Sequence, residues 1–260
     1  MPDLFPGGSL AGDGFLSLKN DFLSEIMIPP ITAGLKGAYY PAALSKKGEL
    51  YNHADSTKPL TRKGTPELFA NYARCDSKNC FDTGLQTTSK TTMFAIAKPP
   101  VNGLPERGLA ISDWTDQVPG LRGSAIEMRT KANGDISVYE YVGRPNGTSL
   151  SATQNLAAAN ILGTTGFQIV MLSWNDGSYS GGGVYNPITK SFIISNHASG
   201  VTALTGRNIL LGGNHSTVSF LGQQDIAGAL IYDGKSFNIT EFDTVGTWLY
   251  FTMCAQLGIV

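Results

Sequence analysis

The sequence has little charge, and what it has cancels. Nineteen lysines and arginines stand against twenty aspartates and glutamates, a formal net charge of −1, and only 15% of the 260 residues are charged. A nucleic-acid-binding protein needs a basic footprint for the phosphate backbone, so that class is excluded. Long hydrophobic runs are missing too: no stretch approaches the roughly 18 apolar residues that a membrane-spanning helix needs. The three cysteines, Cys75, Cys80 and Cys254, are few and odd in number, which argues against a disulfide-stapled secreted scaffold. Cys75 and Cys80 lack the second Cys or His pair of a zinc site; they read as ordinary thiols, with a local disulfide across a turn after release from the cell as the alternative. Cys254, beside Met253, reads as a small core hydrophobe. The chain opens Met-Pro-Asp with neither a basic nor an apolar leader, so no signal peptide is expected, and the protein either stays in the cytoplasm or leaves as part of a larger particle.

Helical periodicity is also scarce. Between residues 37 and 237 the only candidate is a turn at Asn155 to Ile161. Strand-like runs recur instead at Gly37 to Ala42, Tyr72 to Arg74, Thr92 to Lys98, Gly108 to Ser112, Ala125 to Thr130, Ile136 to Val142, Phe167 to Trp174, Gly183 to Tyr185, Ser191 to Ser195, Ile209 to Leu211 and Ile226 to Tyr232. The polar stretch through Lys63 reads as a loop over the sheet surface. Asn133-Gly134 is the strongest hairpin signal, because both central positions of a type I′ turn need positive φ. Many short strands with turn residues between them predict a two-sheet antiparallel sandwich.

The C-terminal end is the exception. Asn238, with Glu241 three residues later, forms the signature of a capping box. Phe242, Val245, Leu249, Met253 and Leu257 then recur at spacings of three and four, and Gly258 is placed to end the helix. Opposite that stripe lie Thr240, Thr244, Thr247 and Phe251, with Trp248 and Tyr250 at the edges, more aromatic surface than one sandwich face needs. Its expected cover is another subunit or the N-terminal arm, residues 1–33. In that arm, Gly7-Gly8, Gly12 and Gly14 lead into one or two helical turns over Asn20 to Met27, stopped by Pro29-Pro30. Residues 34–260 read as one self-contained domain.

Leu230-Ile231-Tyr232-Asp233, a short link, Asn238-x-x-Glu241 and a helix ending in Leu257-Gly258-Ile259 resemble the closing segment of concanavalin A-like lectin/glucanase domains, most of all the laminin-G-like branch found in carbohydrate-binding modules and phage virion proteins. Leu211-Gly212-Gly213 followed by Phe220-Leu221-Gly222 and Ile226-Ala227 is similar to a further run of that family, and Gly37-Ala38-Tyr39-Tyr40 with Phe81-Asp82-Thr83-Gly84 to its opening strands. The resemblance covers roughly residues 35–260. It implies an all-β, concanavalin A-like jelly-roll sandwich with one C-terminal α-helix and a short N-terminal arm.

The same superfamily includes glucanases, whose signature is a Glu-x-Asp-x-Glu cluster, because retaining hydrolysis needs two carboxyl groups about 5 Å apart. That cluster is missing. Glu127 stands alone, Glu140 has no acidic partner two residues away, Asp135 belongs to the hairpin turn, and Asp113 and Asp116 read as turn formers or caps. The histidines are His53, His197 and His215, and no Gly-x-Ser-x-Gly elbow is present. Gly181-Gly182-Gly183 lacks the following Lys of a phosphate loop and reads as relief for a bend or bulge. Asn175-Asp176-Gly177 could offer oxygens to calcium, yet it is equally an ideal turn, and no acidic cluster accompanies it. The expectation is no catalytic residue, no metal and no cofactor.

Sugars present apolar C–H faces and many hydroxyls, so their sites combine an exposed aromatic with polar loop side chains. The candidates are Asp113 and Trp114 after one strand, Asn175, Asp176 and Tyr179 after another, and Asn214 with His215. Trp114 is the expected exposed aromatic, Trp174 the expected core residue, and His215 is either a rim ligand or a solvated loop histidine. Together these point to a non-enzymatic virion protein, a phage tail, fibre or decoration component that contacts host-surface glycan and docks on other virion proteins through its arm as a homo-oligomer. A purely structural virion subunit is the first rival. The second is a polysaccharide-degrading enzyme, with Glu127 and Asp113 the acids to test.

Overall fold

The computed structural model of the chain describes residues 28–42, 47–99, 107–118, 121–143, 149–158, 166–175, 179–197 and 205–260. The strands are β1 (Leu35–Tyr39), β2 (Thr61–Lys63), β3 (Glu67–Leu68), β4 (Ala73–Cys75), β5 (Cys80–Gln86), β6 (Lys90–Lys98), β7 (Leu109–Ser112), β8 (Ser124–Thr130), β9 (Ile136–Gly143), β10 (Ser149–Leu156), β11 (Gln168–Asn175), β12 (Tyr179–Asn186), β13 (Ser191–His197), β14 (Asn208–Leu211) and β15 (Gln224–Asp233). They form two antiparallel sheets. One runs β13-β12-β11-β6-β15-β4-β3 with β1 also paired to β15, and the other runs β10-β9-β8-β7-β14-β5-β2. The expected two-sheet sandwich with one C-terminal helix is the observed fold.

Alternation along the strands shows which faces are covered. On β6, Met93, Ala95 and Ala97 face the core between the sheets, while Phe94 and Ile96 join a second buried cluster on the outer side. On β11, Val170, Leu172 and Trp174 face inward, and Ile169 and Met171 outward. Both faces of this eight-stranded sheet are therefore buried, which is why β6, β11 and β15 read as continuous apolar runs. The cover on its outer face is α1 (Ile239–Trp248) and the π-helical turn Leu249–Cys254 that continues it, through Phe242, Val245, Leu249, Met253 and Cys254. At Gly246 the helix lies so close that a Cβ would sit 2.6 Å from the Phe192 ring.

The helix ends follow the sequence. The Asn238 side chain accepts from the Glu241 amide and the Glu241 side chain accepts from the Asn238 amide, both at 3.0 Å. At the other end Gly258 adopts φ +64°, the Ile259 amide reaches the Cys254 carbonyl at 3.0 Å and the Gly258 amide the Ala255 carbonyl at 3.2 Å, a Schellman motif.

Four local expectations change. The stretch through Lys63 holds the exposed edge strand β2 rather than loop alone. Asn155 and Leu156 belong to β10, paired with Ser137 and Ile136, instead of opening a helical turn; residues 159–161 lie outside the described ones. The Gly181–Gly183 run is the unbroken middle of β12, not a bend: Gly182 gives room to the Glu140 side chain, whose Cγ would lie 2.1 Å from a Cβ there. The β8–β9 hairpin forms as expected, but Gly134 alone takes positive φ (+85°). Its amide bonds the Lys131 carbonyl at 2.9 Å and the Lys131 amide bonds the Asp135 carbonyl at 2.8 Å, so the connection is a type I turn with a glycine bulge, one residue longer than a type I′ loop.

The Leu211-Gly212-Gly213 motif has a packing cause. A Cβ on Gly212 would lie 2.1 Å from the Cys75 Cβ, and one on Gly213 would lie 2.5 Å from the Cys80 Sγ. All three cysteines are buried free thiols. Burial raises the pKa of each, to about 11 for Cys80 and about 12 for Cys254. Trp174 is a core residue as expected, its indole N–H donating to the Thr88 carbonyl at 2.8 Å. Of the arm, residues 28–33 are described: Ile31 packs on the helix-side cluster and its carbonyl accepts from the Tyr232 hydroxyl at 2.9 Å, while Asn20 to Met27 lie outside the described residues.

Candidate functional site

The seven-stranded sheet has a different outer face. On β9 the residues Ile136, Val138, Glu140 and Val142 face the core, so Ser137, Tyr139 and Tyr141 face out. In register with them on β8, Glu127 opposes Tyr139 and Ala125 opposes Tyr141, with Arg129 opposite Ser137. One outward patch therefore carries a carboxylate, a guanidinium and two phenols.

Glu127 organises it. Its side chain is 0% exposed, and it accepts from Arg129 Nε at 2.5 Å on one oxygen and from Arg129 Nη2 at 3.1 Å and the Tyr141 hydroxyl at 2.7 Å on the other. A buried carboxylate survives only when paired and hydrogen-bonded, and this bidentate fork with a phenol supplies both. Hydrogen bonding to Glu127 holds the Arg129 guanidinium charged, its pKa raised further. Burial first, then the bond to Glu127, raises the Tyr141 phenol, so it remains a donor throughout the physiological range. Arg129 also lies 4.2 Å from the Tyr139 ring centroid.

Arg107, just before β7, completes the rim. Its side chain is 51% exposed, its Nη1 stands 3.8 Å from Glu127, an ion-pair distance too long for a hydrogen bond, and its guanidinium carbon lies over the Phe220 ring, 5.0 Å from the centroid. Phe220 packs edge-on to Tyr141 at 5.6 Å and to Trp114 at 6.1 Å. The Phe220 backbone is in the left-handed region at φ +55°, unusual for an aromatic residue, and the Asn214 side-chain amide holds it by donating to the Phe220 carbonyl at 2.8 Å.

Of the residues singled out in the sequence, four come together here. Asp113 is buried, and its carboxylate accepts from the Ser124 amide (2.6 Å), the Ser124 hydroxyl (2.8 Å), Thr87 (3.1 Å) and Thr205 (2.7 Å); it is a tie between loops rather than a contact surface. Trp114, expected to be exposed, is 4% exposed, and its indole N–H has no hydrogen-bond partner among the described residues. Asn214 is buried as the brace under Phe220 and accepts from the Ser216 amide at 2.6 Å. His215 is half-buried rather than solvated: its amide donates to the Trp114 carbonyl at 2.8 Å, its Nε2 lies 2.8 Å from the Asn208 carbonyl, and burial lowers its pKa. Asn175 lies elsewhere, at the end of β11 in the eight-stranded sheet, where it pairs with Tyr179. Asp176 and the Tyr179 side chain lie outside the described residues.

Sequence reasoning saw Glu127 but missed its partners, because it searched for pairs of acids. The signal was Glu-x-Arg on one hairpin strand facing Tyr-x-Tyr on the other. The turn decides the chemistry: a two-residue loop at Asn133-Gly134 would have set Glu127 opposite Glu140 on one face, whereas the observed bulge pairs Glu140 with Ile126 and sends the two glutamates to opposite sides of the sheet. No group of His, Cys, Asp or Glu among the described residues could hold a metal ion. A shallow depression lined by Ile194, Phe237, Asn238, Glu241 and Phe242 lies at the start of α1, where the capping box already occupies the helix end.

No protein-family model matches the chain, and no curated protein sequence matches it. Solved structures do share its fold. The botulinum neurotoxin serotype D binding domain is 12% identical with a TM-score of 0.52, over 85% of this chain and 52% of that one. The binding domain of botulinum neurotoxin DC in complex with SialylT is 10% identical with a TM-score of 0.55, over 85% and 53%. The serotype D ligand binding domain in complex with N-acetylneuraminic acid is 11% identical with a TM-score of 0.51, over 83% and 51%. The chain thus spans about half the length of these structures. The likeness is one of fold: a two-sheet β-sandwich.

Proposed function

We propose that the chain is a non-enzymatic, lectin-like binding domain that takes a surface glycan on the outer face of its seven-stranded sheet. The observation that carries the reading is the prebuilt patch around Glu127: a buried carboxylate fixes Arg129 and Tyr141, while Tyr139, Arg107 and Phe220 offer partly exposed ring faces and N–H donors beside them. Such a mixture of flat apolar surface and rigid polar groups matches the two sides of a sugar, and preorganisation lowers the cost of binding. The glycan ligands named for the structural neighbours support the same reading.

The non-enzymatic part rests on how the acids are used. Both Glu127 oxygens are bound, Glu140 projects to the other side of the sheet, and Asp113 already accepts four hydrogen bonds, so none of the three is set up as one of a facing carboxylate pair. The setting we propose is a virion, with residues 1–33 docking a homo-oligomer on other virion proteins; the sequence resemblance supports it, and protein mass spectrometry of purified particles tests it.

The function is tested by adding the purified chain to whole cells and to extracted surface polysaccharide while reducing-end release is followed in the same tube. Binding without release, lost in Tyr139→Ala, is the expected result. Release would make the chain an enzyme, and neither binding nor release would favour the structural subunit.

A further inference from the structure

We propose that the glycan taken at this site carries a negative charge, a carboxylate or a sulfate ester, and that Arg107 receives it. The inference rests on the reading of the patch as a glycan site and adds the chemical class of ligand. It follows from an inventory of donors and acceptors. The acids on the patch are already engaged: Glu127 by Arg129 and Tyr141, Asp113 by two threonines and Ser124, and Asp116, on the adjoining loop, by the hydroxyls of Ser216 and Ser219. The donors are not. The N–H donors of the Arg107 side chain make no hydrogen bond among the described residues; the Trp114 indole N–H, likewise unpaired among them, is buried and does not reach the surface.

Charge points the same way. The single charge of Glu127 faces two guanidiniums, Arg129 at 2.5 Å and Arg107 at 3.8 Å, and the fork of Arg129 satisfies it first. Arg107 is left with its charge incompletely matched, half in water, and with its guanidinium 5.0 Å from the centre of the Phe220 ring. A guanidinium is planar and carries a fork of N–H donors, which suits a two-oxygen anionic group better than a lone hydroxyl. The strained backbone of Phe220, braced by Asn214, keeps that platform in place.

The test uses the full chain on a printed array holding neutral glycans beside matched carboxylate-bearing and sulfated forms, at physiological ionic strength. The expected result is binding to anionic glycans at least about tenfold tighter than to their neutral or carboxyl-reduced counterparts. Arg107→Gln should remove about tenfold of that affinity, and Arg107→Lys, which keeps the charge without the fork, should recover only part of it. Arg107→Gln leaves Glu127 with Arg129 and Tyr141, so the fold is expected to stand, and a thermal melt checks it. Lys78→Gln, a change at an exposed lysine on the turn between β4 and β5, should leave binding within about twofold. Carboxylate and sulfate are separated by which matched pair shows the difference. Equal binding of neutral and anionic forms, indifferent to Arg107→Gln, would overturn the anionic class while leaving the glycan reading intact. Equal loss in Lys78→Gln would show diffuse charge attraction and overturn the site. Binding to no glycan on the array would overturn both.

Discussion

The two sheets share one core and differ on their outer faces. Outside the eight-stranded sheet, Phe94, Met171, Tyr185 and Tyr232 are sealed under Phe242, Val245, Leu249 and Met253 of the terminal helix, and the face is consumed by stability. Outside the seven-stranded sheet, Leu109, Trp114 and Ala125 form only a small apolar cluster, and the same strands carry Glu127, Arg129, Tyr139 and Tyr141. The lesson is that a sandwich with one helix has a face to spare. On that spare face the chain spends buried charge, an unpaired indole N–H and a left-handed phenylalanine, none of which a core requires.

If the covered face carries stability, Phe242→Ala should cost the most, about 3–5 kcal/mol in denaturant unfolding, without weakening glycan binding by the fraction that remains folded. Glu127→Gln comes next, because it removes a buried counter-charge; Arg129 is 36% exposed and can turn to water, so the expected loss is about 1–3 kcal/mol rather than the larger cost of a stranded buried ion, and binding should fall with it. Asn238→Ala breaks the capping box on the covered side and should cost about 1 kcal/mol by the same unfolding measurement, with binding unchanged. Tyr139→Ala reverses that pattern: a stability change of about 0.5–1 kcal/mol from the lost contact with Arg129, and roughly tenfold weaker glycan binding by titration. A mutant pair in which Tyr139→Ala harms folding and Phe242→Ala harms binding would erase the distinction between the faces.

A pH slope belongs to the covered side, where His53 packs edge-on to Tyr40. Burial, then the charge of Lys47, lowers the pKa of His53 from 6.5 to about 4. The unfolded chain therefore takes up this proton first as pH falls. The contribution to stability is complete above pH 6.5 and is lost as pH drops towards 4, and His53→Gln should flatten denaturant midpoints across that window by up to about one proton's worth of slope.

Much of this was legible in the residues, and the failures have physical causes. β6, β11 and β15 announce themselves because both of their faces are buried, and Asn238-x-x-Glu241 marks the helix start because a capping box needs only local contacts. Cys254 joins Met253 in the core as its place beside that residue suggested, but the wider π turn shifts the phase of the stripe, so Leu257, expected on it, drifts to the edge. β10 was invisible because its pairing with β9 is settled by a partner strand, not by its own mixed sequence. For the site, the sequence offered Asp113 with Trp114, Asn175, Asp176 and Tyr179, and Asn214 with His215 as separate candidates; Asp113, Trp114, Asn214 and His215 lie in one neighbourhood, where they brace Phe220 and tie the loops. Of the side chains that meet the outside, Arg129, Tyr139 and Tyr141 lie on strands, and their shared face depends on a one-residue difference in the turn at Gly134, which no strand pattern reports.

The most direct test of the account is amide hydrogen exchange on the intact chain with and without a glycan-array hit or extracted surface polysaccharide. Added protection confined to β8, β9, the Arg107 segment and residues 214–220, with α1 unchanged, is the predicted result. Protection centred on α1 and the β12–β13 hairpin, with β8 and β9 unchanged, would contradict it.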